Sequence, residues 1–145
     1  MWEWRERSFD MRASVVVGFE MGLNILIVGL GGFLGAVARY GVGHWVGQHL
    51  GRTFPWGTMA VNVSGTFLIG LVIGISAGRH LENPLWRLFL AVGFLGAYTT
   101  FSTFEFETGE LLKDGATLMA AANVGGSVMA GFLALRLGEA VARVI

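Results

Sequence analysis

Residues 93–107, GFLGAYTTFSTFEFE, constrain this chain more than any other stretch. They lie inside an apolar segment long enough to cross a bilayer, yet Thr99, Thr100, Ser102 and Thr103 put hydroxyls near its centre. At bilayer depth a non-helical backbone survives only where protein buries it or where it lines a wet cavity. Gly93 and Gly96 precede the hydroxyls and ease a break in the helix. The plainer reading is an unbroken helix whose Ser and Thr side chains bond back to their own i−4 carbonyls. The rest of the chain decides between the two.

Four apolar segments are expected, at about 23–45, 56–77, 85–112 and 117–137. Each is near the ~20 residues that span a hydrocarbon layer of ~30 Å. The breaks between them are short, and Pro55 and Pro84 stand just before a helix, where proline is tolerated. Short connections make neighbouring helices antiparallel. The expected architecture is therefore an all-α membrane protein with four transmembrane helices, the third broken at mid-membrane. A soluble bundle would need charged outer faces, and only 14% of residues are charged against about a quarter in soluble domains. Zero formal net charge gives no general attraction to nucleic acid, and without cysteine there is neither a disulfide framework nor a thiolate metal site.

Residues 1–20 differ in composition and are expected to be a mobile or interfacial tail, or an over-long start, since Met11 and Met21 could each be the true first residue. Residues 21–145 then form the membrane domain. The positive charge that normally orients a membrane protein is nearly balanced once the tail is set aside, so insertion in both directions is an open expectation. Glycines at helical spacing, Gly31 with Gly35 and Gly70 with Gly74 and Gly78, predict close helix contacts, within one chain or between two.

Polar residues at depth are the candidate functional groups. Asn62 lies about seven residues into the second segment, on a polar line with Thr58 and Thr66. Asn123 and Ser127 form a second such line in the fourth segment. Both lines could equally be interhelical hydrogen bonding, worth ~0.6 kcal/mol each. Arg39 needs a partner or a route to the headgroups. Phe101 and Phe104 share one helix face, which Glu107 continues. Such a pair is ordinarily packing, but ring edges carry positive charge and can face a small anion.

In order along the chain, GGFLGAVARYGV, WGTMAVNVSGTFLIG and GFLGAYTTFSTFEFE resemble the Fluc (CrcB) small fluoride channels, over about residues 23–137. The resemblance implies an antiparallel, dual-topology homodimer in the cell membrane that lets fluoride leave the cell. It implies a central sodium ion held by the carbonyls of Gly96 and Thr99. It makes Phe101 and Phe104 the pore phenylalanines, Asn62 the pore amide with Thr103 beside it, and Asn123 and Ser127 the fourth-helix polar track. Arg39 becomes a buried or vestibule arginine. The twenty-residue tail departs from the family pattern.

Two other classes are weaker on the residues alone. A proton-coupled small multidrug transporter requires a carboxylate deep in the membrane. The first segment has none, and Glu105, Glu107 and Glu110 cluster towards the end of the third. An intramembrane hydrolase using Ser64 would need a histidine within reach, yet His44, His49 and His80 fall at helix ends or in loops. The expectation is thus a channel and not an enzyme.

Overall fold

A computed structural model describes residues 11–78 and 84–145, and all regular structure among them is helical. Helix α1 is Met11–Leu50 and α2 is Trp56–Gly78. The third span begins with one turn at Pro84–Arg87, widens into a π-helix at Leu88–Leu95 and tightens again at Gly96–Tyr98. These pieces together are α3, residues 84–98. After a break the chain continues as α4, Phe101–Lys113, and α5, Thr117–Ala142. Among the described residues four stretches are long and apolar enough to cross a membrane: Gly18–Leu50, Trp56–Ser76, Pro84–Lys113 and Thr117–Ala142.

Helix α1 is longer at both ends than the hydropathy pattern implies. No proline interrupts it, and the first residue to leave the right-handed region is Gly51, at φ 92°. Its 40 residues rise about 60 Å, twice the hydrocarbon thickness. Residues 11–20, expected in the tail, continue this helix, while residues 1–10 lie outside the described residues. So do residues 79–83, Arg79 among them.

Glycine sets the helix contacts, and the contacts are within one chain. A methyl group on Gly35 of α1 would overlap the Phe94 carbonyl of α3, and Gly93 returns the approach against the Val28 carbonyl. A methyl on Gly70 of α2 would overlap the Leu135 carbonyl of α5, and one on Gly138 would overlap the Phe67 carbonyl. The glycine pattern therefore docks α3 on α1 and α5 on α2 with backbones nearly touching, as small residues allow in lipid.

The buried apolar set of one chain is small: Val61, Leu95, Tyr98 and Ala120. Phe33, Phe101, Phe106 and Leu133 are mostly exposed, along with many others. A chain apolar on its outside as well as its inside suits a lipid surround.

Candidate functional site

The site grows from the break. Tyr98 ends α3, and its hydroxyl lies 2.9 Å from Ser64 Oγ on α2. Thr99 then adopts φ −76°, ψ 155°, and Thr100 adopts φ −149°, ψ 117°. Two extended residues stand near the middle of the Pro84–Lys113 span. Helix α4 restarts because Thr100 caps it: Thr103 N–H donates to Thr100 Oγ1 at 3.3 Å.

Asn62 holds the break open. Thr100 N–H donates to Asn62 Oδ1 at 2.8 Å, and Asn62 Nδ2 donates to the Thr100 carbonyl at 3.0 Å. A side-chain amide thus pairs with a main-chain amide as a neighbouring strand would. This replaces bonds that the backbone loses by leaving the helix, which apolar surroundings would otherwise penalise.

These same bonds account for the two carbonyls singled out above. In an unbroken helix the Gly96 carbonyl would accept from Thr100 N–H, and the Thr99 carbonyl from Thr103 N–H. Thr100 N–H turns instead to Asn62, and Thr103 N–H to the Thr100 hydroxyl. Both carbonyls therefore lose their i+4 donors. Among the described residues no group of three His, Asp or Glu side chains is placed to hold a metal. Carbonyl oxygen is the donor chemistry that the break itself offers.

Two cavities flank Thr100. One, of about 260 Å³, is lined by Asn62, Thr66, Phe101, Phe104 and Ser127, with no charged side chain on its wall. The two rings sit 5.7 Å apart, tilted by 35°. The second, of about 360 Å³, is lined by Arg39, Tyr40, His44, Thr58 and Thr103. Asn62, Phe101, Phe104 and Ser127 thus come together as expected. Thr103 does not join them: its hydroxyl lies 3.0 Å from Thr100 Oγ1, and it faces the Arg39 cavity. The reason is the cap, which turns Thr103 back onto the residue that starts the helix.

The fourth-span polar line continues from the first cavity. Ser127 Oγ donates to Asn123 Oδ1 at 3.3 Å, and Asn123 Nδ2 donates to Thr108 Oγ1 at 2.8 Å. Thr108 donates in turn to the Phe104 carbonyl at 2.7 Å. Asn123 is fully buried, so this chain of bonds ties α5 to α4. Thr108 was not anticipated. Its only sequence signal is a fourth-residue offset from Phe104, which any helical threonine shares.

Glu107 departs from the phenylalanine face. It lines cavities under the 51–55 loop, beside Arg52. Its Oε2 is buried and has no hydrogen-bond partner among the described residues. Arg39 is half-buried on the wall of the second cavity, which fits a vestibule position.

Comparison with known proteins places this geometry among relatives. The family described as CrcB-like protein, Camphor Resistance (CrcB), matches residues 26–139. A protein of Acidobacterium capsulatum named "Fluoride-specific ion channel FluC" is 48% identical over 119 residues, covering 82% of this chain and 95% of its own. A protein of the same name from Solibacter usitatus is 46% identical over 121 residues, covering 83% and 99%. One from Rhizobium meliloti is 45% identical over 120 residues, covering 83% and 96%.

Proposed function

The chain belongs to the CrcB family, and from that premise we propose that it is a passive, fluoride-selective channel. It is a multi-pass membrane protein, and fluoride leaves the cell through it down its electrochemical gradient. The observation that carries the reading is the cavity beside the helix break, walled by an amide, hydroxyls and two phenylalanine rings. Fluoride is small, strongly hydrated and a strong hydrogen-bond acceptor. A conducting site must replace its water with donors yet release it readily. Neutral donors and positive ring edges do this without the grip of a buried cation. Conduction of this kind makes and breaks no covalent bond, so the chain acts as a channel and not as an enzyme.

A single chain leaves the site open. Phe101 is 70% exposed, and Ser102 and Thr103 beside it are exposed residues at the middle of a membrane span, their hydroxyls 3.5 Å and 3.0 Å from Thr100 Oγ1. A second copy covers them best. With positive charge nearly balanced once residues 1–20 are set aside, the two copies lie antiparallel, which dual insertion would supply. In that arrangement the breaks meet, and each chain contributes the carbonyls of Gly96 and Thr99. Sodium is a hard cation that takes oxygen ligands, and these carbonyls fit it because their helical donors are diverted. Bound there, sodium would supply a fixed positive charge at the crossing.

Three substitutions test the two halves of this reading. Phe101→Ile and Phe104→Ile keep bulk but remove the ring edges, so fluoride flux falls by about tenfold or more while the fold survives. Wild-type flux in both variants would make the rings mere packing. Gly96→Val tests the crossing. Within one chain a methyl at Gly96 meets only the Ala91 carbonyl, at an ordinary 3.8 Å. The variant should therefore keep its helices and lose its dimer, read by circular dichroism and by mass in detergent. A Gly96→Val protein that stays dimeric and conducts would remove the glycine from the crossing.

A further inference from the structure

The second cavity holds a residue that the proposed function does not use. His44 shares its wall with Arg39, Tyr40, Thr58 and Thr103. The cavity also touches Thr100, so it abuts the break and the phenylalanine cavity beyond it. Arg39 supplies one fixed positive charge. The Tyr40 ring stacks on His44 at 5.9 Å and 5°, and the wall contributed by α2 and α4 holds no Asp, Glu, Lys or Arg. An imidazole is the side chain that changes charge between about pH 5 and pH 8. His44 lies near the Leu50 end of α1 and is exposed in one chain.

Its partner suits both protonation states. Gln48 Nε2 donates to His44 Nε2 at 2.9 Å, which serves the neutral ring. Half a turn of the Gln48 amide presents its oxygen instead, which accepts from the same nitrogen once that nitrogen is protonated. The ring can thus gain a proton without losing its hydrogen bond or its stack on Tyr40.

We propose that His44 makes the Arg39 cavity a proton-tuned anion antechamber, so that the channel conducts more fluoride on the acid side. The inference rests on the fluoride-channel reading. With the imidazole protonated the cavity wall carries two positive charges, and with it neutral one. The second charge raises the local anion concentration ahead of a neutral, weakly binding path. For two charges on one cavity wall the change is about threefold in current.

The test is fluoride current across a planar bilayer holding the purified protein, at about pH 5.5 and about pH 8. Electrical current counts ions only, so leakage of neutral hydrogen fluoride does not contribute. Wild type should show the roughly threefold acid-side gain. His44→Gln should be flat at the alkaline level, and His44→Lys flat at the acid level. His49→Gln should keep the wild-type response, because His49 donates to the Trp45 carbonyl and does not line this cavity. A flat wild type, or a His44→Gln protein with an undiminished response, would overturn the inference and leave the channel reading standing. No fluoride current at either pH would overturn both.

Discussion

Asn62→Asp should cut fluoride flux on the order of 100-fold and loosen the third span. The two effects have separate causes. A carboxylate accepts from Thr100 N–H as the amide does, but it has no N–H for the Thr100 carbonyl. Thr100 is 8% exposed, so that carbonyl is left without its donor in an apolar place. Its cost is on the order of 1–3 kcal/mol. An ionised carboxylate on the cavity wall also repels the permeating anion. Asn62→Leu separates the two effects: it loses both hydrogen bonds but adds no charge, so it should destabilise more and repel less. Flux is read in liposomes and stability by thermal unfolding in detergent. Asn62→Asp with wild-type flux would take this residue out of the conducting site.

Gly35→Ala and Gly138→Ala should each cost about 3 kcal/mol or more, or prevent folding. In both cases the added methyl meets a backbone carbonyl, of Phe94 or of Phe67, which cannot swing away as a side-chain end could. Relief requires moving α3 off α1, or α5 off α2, along the contact that orders the whole bundle. Gly22→Ala is the matched control, since a methyl there meets nothing within 4 Å. Gly22→Ala should be neutral or slightly stabilising, because alanine favours helix over glycine. Equal losses at all three positions would mean that the close approaches do not carry the fold.

The spans were legible because lipid demands long apolar runs with short breaks, and the 51–55 loop supplies its own stop in Gly51. The ends of α1 were not. The change of composition after residue 20 and the histidines His44 and His49 read as boundaries, but charged and polar side chains do not end a helix that lies outside the apolar layer. The break was legible as hydroxyls crowded behind two glycines. What fixed its place was not: any of four hydroxyl residues could have capped α4, and the choice of Thr100 depends on Asn62, 38 residues earlier. Sequence spacing shows that Asn62 needs partners, not which peptide supplies them. Nor does spacing show where Thr103 turns: its hydroxyl meets that of Thr100, and it lines the Arg39 cavity. The glycine pattern named Gly31 and Gly35 correctly as a contact face but could not say that Gly93 opposes them.

Efflux of fluoride from liposomes holding the purified protein, with chloride efflux measured alongside, tests the central claim most directly. The account predicts rapid fluoride release that needs no proton gradient, with chloride release no faster than from protein-free vesicles. Release of both anions at similar rates, or fluoride release only when a proton gradient is imposed, would contradict it.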